Sequence, residues 1–101
     1  STAVSLLNNF IREIDDNELY LKVVQLKTLA ERGVITYIPK RLQRIQKDLR
    51  RTSGKSRMTH DEALAEIIEM AKKYSAYYMA QESQLNEQES NAEIILSESF
   101  K

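Results

Sequence analysis

Apolar residues recur at Ala3, Val4, Leu7, Phe10, Ile11 and Ile14, a three-and-four spacing that puts them on one face of an amphipathic helix. Asp15, Asp16 and Asn17 follow. Their short polar side chains compete for backbone hydrogen bonds, so they stop the first helix and cap the next. A second helix is expected from about Glu18 to Arg32, ending at Gly33, which adopts the left-handed conformation without steric cost. Its polar positions, Lys22, Gln25, Thr28 and Arg32, form a narrow strip, and Leu19, Leu21, Val23, Val24, Leu26, Leu29 and Ala30 cover most of the rest. A helix so widely apolar needs neighbours on more than one side and is expected at the centre of the fold.

Val34 to Ile38, reading VITYI, has β-branched and aromatic character but no strand to pair with, so it is expected to be a buried connector. Pro39 suits a first helical turn, which starts a third helix near Thr36 to Ile38 and carries it to about Arg51. Thr52 to Met58 has the composition of an exposed loop. Thr59 with Glu62 three residues later is a capping-box signature for a fourth helix, whose apolar stripe runs through Leu64, Ile67, Ile68, Ala71, Tyr74 and Tyr78. After Ala80 the chain turns polar, and QESQLNEQESNAE offers too little apolar surface to bury; Ile94, Ile95, Leu96 and Phe100 lie beyond it.

The pattern predicts an all-α fold: a four-helix antiparallel bundle with a central second helix and a loosely attached polar C-terminal tail, divided into a bundle domain over 1–85 and an acidic tail with a short apolar cluster over 86–101. A length of 101 residues, 42% apolar and 30% charged, fits one soluble domain of modest stability. With no cysteine there is neither a disulfide framework nor a thiolate site, no apolar run reaches membrane-spanning length, and Ser1 to Phe10 lacks the basic start of a signal peptide; a cytoplasmic location is the expectation.

Fifteen basic and fifteen acidic side chains give zero net charge, which taken alone argues against polyanion binding. The average hides segregated blocks. Residues 40–57 carry eight basic and one acidic side chain, and residues 58–100 carry two and nine. On a helix, Ile38, Leu42, Ile45 and Leu49 repeat at four, three and four, and Lys40, Arg44, Lys47 and Arg51 repeat identically two positions later, about 200° away. The apolar stripe therefore faces the core and the basic stripe faces outward, flanked by Arg41 and Arg50 and extended by Lys55 and Arg57. Such a ridge suits an acidic protein surface, phosphates or anionic headgroups; a merely solvated face would look the same in sequence.

Other motifs carry less. Arg50, Arg51, Thr52 and Ser53 resemble a basophilic phosphorylation site of a length that arises often by chance, and Gly54, Lys55 and Ser56 lack the upstream glycine of a phosphate-binding loop. A helix-turn-helix reading fails on the six-residue apolar connector and on Pro39. His60 is the lone histidine, expected to be exposed in the first turn of the fourth helix, and no nucleophile, base and acid spacing stands out, so neither catalysis nor a cofactor or metal is expected. Tyr77 lies off the core stripe that holds Tyr74 and Tyr78, as a partner contact or as a cover for the bundle end. The function these residues favour is that of a small non-catalytic adaptor or regulator. Its partner would be a protein, a second copy of itself included, bound through Lys40, Arg41, Arg44, Lys47, Arg50, Arg51, Lys55 and Arg57 and through Tyr77. The alternative is nucleic-acid binding, with the same cations on phosphates.

Overall fold

The computed structural model of the chain describes residues 2–52, 54 and 57–99, with side chains described from Ala3 to Gln84 within those spans. It is all-helical: α1 (Thr2–Ile11), α2 (Asn17–Arg32), α3 (Tyr37–Arg50) and α4 (His60–Ser99), with no strand among the described residues.

The boundaries follow from local chemistry. Asp16 holds an extended backbone before α2, and its carboxylate accepts from the Leu19 N–H at 3.0 Å, satisfying one of the donors that a helix start leaves open. At the other end Gly33 has φ 67°, and its N–H donates to the Leu29 carbonyl. Thr59 caps α4, its hydroxyl accepting from the Glu62 N–H at 3.2 Å and lying 2.9 Å from the Glu62 carboxylate.

Leu7, Phe10, Val23, Leu26, Leu29, Ile38, Leu42, Ile45 and Ile67 form the core, drawing on all four helices. The connector between α2 and α3, expected to be buried, is so only in part: Ile38 is buried and Ile35 packs against the core, whereas Val34 and Tyr37 are exposed. Four residues joining two helices cannot turn every side chain inward.

α2 packs against α1, α3 and, most extensively, α4. Gln25 meets Ser75 and Arg32 meets Gln81 and Glu82, so each α2 residue faces an α4 residue about fifty positions on and the two helices run side by side in the same direction. A bundle whose neighbouring helices are all antiparallel does not contain such a pair. α3 and α4 run oppositely: Tyr37 lies near Tyr74 and Arg41 near Glu66. The polar stretch after Ala80, expected as either a fraying polar helix or a disordered tail, continues the fourth helix unbroken to Ser99. It has forty residues where α2 has sixteen, and α2 ends at Arg32, opposite Gln81 and Glu82. The structure measures 70 Å along its longest dimension. No helix among the described residues is long and apolar enough to cross a membrane.

Candidate interaction surface

α3 presents the predicted two stripes. Ile38, Leu42 and Ile45 are fully buried, while Lys40, Arg44, Lys47 and Arg51 are exposed on the other side. Arg50 and Arg57 are exposed as well, Arg41 is half-buried, and Lys55 lies outside the described residues.

The ridge is not uniform, because local carboxylates engage part of it. Arg41 reaches across to α4, where its Nε and Nη2 both donate to Glu66 Oε1. Asp48, the one acid of the basic segment, is only 7% exposed and sits between two guanidiniums, Arg44 at 3.7 Å and Arg51 at 3.6 Å. Neither approach is a hydrogen bond, and Asp48 Oδ1 is buried without one. The Asp48 carbonyl also accepts from the Arg51 and Met58 N–H groups, so this residue ties the end of α3 to the strand of loop leading into α4. Arg57 donates weakly to the Thr52 carbonyl at 3.5 Å. Lys40, Lys47 and Arg50 are exposed and have no carboxylate partner among the described residues.

The N-terminal end of the ridge adjoins an aromatic group. The Tyr37 and Tyr74 rings lie 6.5 Å apart, and the Lys73 ammonium stands 5.7 and 5.5 Å from their centroids, within cation–π range. Tyr77, one residue short of a turn beyond Tyr74, is 42% exposed. Tyr78 instead packs on the core and lies under the Arg32 guanidinium at 5.7 Å. The start of α3 and the tyrosines of α4 therefore meet towards the end of α2, three residues along the chain from the exposed Val34.

Two contacts were not apparent from sequence. His60, exposed as expected, stacks on Phe10 at 4.7 Å and approaches Glu13 Oε2 to 2.6 Å, pinning the start of α4 to the end of α1. The Arg41 and Glu66 pair joins residues twenty-five apart. Asp48 was legible in principle, since arginines four before and three after it share its helix face. No group of three His, Asp or Glu side chains among the described residues could hold a metal ion. Comparison with protein-family models, with curated proteins and with solved structures gave no match.

Proposed function

We propose that the chain is a small non-catalytic adaptor or regulator that binds a protein partner through the outward face of α3 and the adjoining tyrosine end of α4. In this reading the four helices form a bundle with α2 at its centre, and residues 86–101 act as an acidic extension of it. The observation that carries the proposal is the state of the ridge: Lys40, Lys47, Arg50 and Arg57 stand exposed with no carboxylate partner among the described residues, while Arg41, Arg44 and Arg51 are held near carboxylates of the same chain.

That division favours an acidic protein surface over a nucleic acid. Eight free cations on a duplex would give a salt dependence with a slope of about −7, whereas the four that are free of carboxylates among the described residues, Lys40, Lys47, Arg50 and Arg57, give about −3.6, half of that. A protein surface asks less of charge and adds apolar contact, which Val34, Tyr37 and Tyr77 offer at the same end.

The test compares binding of poly-L-glutamate and of duplex DNA to the wild-type chain and to K40E/K47E/R50E. These three positions are chosen because reversing Arg44 or Arg51 would place an acid against buried Asp48 and disturb folding. Binding of poly-L-glutamate that the triple variant loses is the expected result. Wild-type protein that binds neither polymer, or binds duplex DNA with a slope near −7, refutes the proposal and in the second case favours the nucleic-acid alternative.

A further inference from the structure

The chain carries its own acidic counterpart to α3, but on a part of the molecule that α3 cannot reach. Residues 1–84 hold fourteen basic and eleven acidic side chains; residues 85–101 hold one and four. The two parts therefore carry charges of +3 and −3. Within one molecule they stay apart, because α3 runs antiparallel to α4 from Tyr37, beside Tyr74, back towards the start of α4. Glu87 lies thirteen residues further along a continuous helix, about 20 Å at 1.5 Å per residue. The rest of α3 is farther still. That is more than twice the screening length of about 8 Å at physiological salt, so the acidic stretch does not neutralise the basic face of its own chain.

We infer that the chain pairs with a second copy of itself, each copy laying the acidic C-terminal stretch of α4, residues 85–99, along the basic face of the other's α3. The inference rests on the reading of α3 as a protein-binding face and names its partner. Lengths agree: Glu87 to Glu98 and Lys40 to Arg51 each span eleven residues of helix, about 16 Å. Charges are opposite in sign: residues 85–99 carry four acidic and no basic side chains, against the exposed Lys40, Lys47 and Arg50 of α3. Val34, Tyr37 and Tyr77 are exposed where α2 ends beside α4, and the sequence of the acidic stretch includes Leu85, Ala92, Ile94, Ile95 and Leu96 as apolar counterparts. A reciprocal contact of this kind is closed by a two-fold axis, so it ends at the dimer and does not run on into a fibre.

Light scattering on the full chain at about 0.1 M and about 1 M salt, where the screening lengths are about 10 and 3 Å, provides the test. The expected mass is twice the 11.7 kDa of one chain at the lower salt, falling towards a single chain at the higher. K40E/K47E/R50E and E87K/E89K/E93K/E98K should each be monomeric alone and should form a dimer when mixed, because the reversed ridge of one then meets the reversed stretch of the other. A measurement without substitutions guards against misfolded variants: in a mixture of isotope-labelled and unlabelled wild-type chains, carbodiimide should join Lys40 or Lys47 to Glu87, Glu89, Glu93 or Glu98 in mixed-isotope pairs. A wild-type monomer at the lower salt, or a dimer lacking those cross-links, overturns the inference. A monomer that still binds poly-L-glutamate through Lys40, Lys47 and Arg50 overturns self-pairing alone. A monomer that binds neither poly-L-glutamate nor DNA overturns the α3 reading as well, and one that binds only duplex DNA transfers the face to a nucleic acid.

Discussion

Asp48→Asn separates the two roles that a buried acid can play in a basic helix, holding the fold together or limiting the charge on show. The carboxylate lies 3.7 Å from Arg44 and 3.6 Å from Arg51, whose side chains are 64% and 42% exposed. With so much solvent around the cations a water-like dielectric applies, and each pair contributes about 1 kcal/mol before any cost is counted. Desolvating the carboxylate and ordering two long side chains offsets most of that gain, as at other exposed pairs. Asparagine keeps the shape, and the backbone bonds from Arg51 and Met58 to the residue 48 carbonyl are untouched. Asp48→Asn should therefore change unfolding free energy by less than about 1 kcal/mol, a shift in midpoint of no more than about 8 °C for a chain of this size. Its effect on the surface should be larger. Freeing Arg44 and Arg51 raises the ridge cations without a carboxylate, among the described residues, from four to six, so duplex DNA used as a polyanion should show a salt slope moving from about −3.6 to about −5.4. Urea denaturation followed by circular dichroism reads the first quantity, and fluorescence anisotropy across a salt series reads the second. A loss of more than about 3 kcal/mol, in the range found when one member of a buried pair is removed, or an unchanged slope would refute this account of Asp48.

Three further substitutions probe the fold that presents the ridge. Leu42→Ala empties a fully buried site on the core stripe of α3 and should cost about 3 to 5 kcal/mol in urea denaturation, because a site walled by four helices cannot collapse fully. Thr59→Ala removes the acceptor for the Glu62 N–H and should cost about 1 kcal/mol, with thermal unfolding as the readout. Gly33→Ala should cost about 1 kcal/mol in the same assay: a Cβ there meets nothing within 4 Å, so the whole effect comes from forcing alanine to φ 67°.

What was legible in the sequence is what depends on neighbours within a turn or two. Asp16, Gly33 and Thr59 marked helix ends because a cap is satisfied by residues three or four positions away, and the opposed stripes of α3 followed from helical geometry alone. Contacts that depend on how helices lie against one another were not. Arg41 pairs with Glu66 and His60 with Glu13 across separations of twenty-five and forty-seven residues, and nothing in either segment names its partner. The connector was misjudged for a related reason: Val34 and Tyr37 have the composition of buried residues, but their exposure is set by the direction in which α3 leaves α2.

The length of α4 is the case in which composition left most open, between a fraying polar helix and a disordered tail. Taken alone, QESQLNEQESNAE is too polar to bury and only marginal as an isolated helix in water, where about twelve to fifteen residues are needed even for good helix formers. The requirement is for nucleation, and in the chain that cost is already met: the stretch continues a helix begun at His60 and anchored to the core by Ala63, Ile67, Met70 and Ala71. Each further residue then needs only a favourable propagation step, and the Gln, Glu, Leu and Ala of the segment supply it against the cost of its Ser and Asn. What results is a regular helical backbone that continues to Ser99, past the point where α2 ends opposite Gln81 and Glu82, and carries Glu87, Glu89, Glu93 and Glu98.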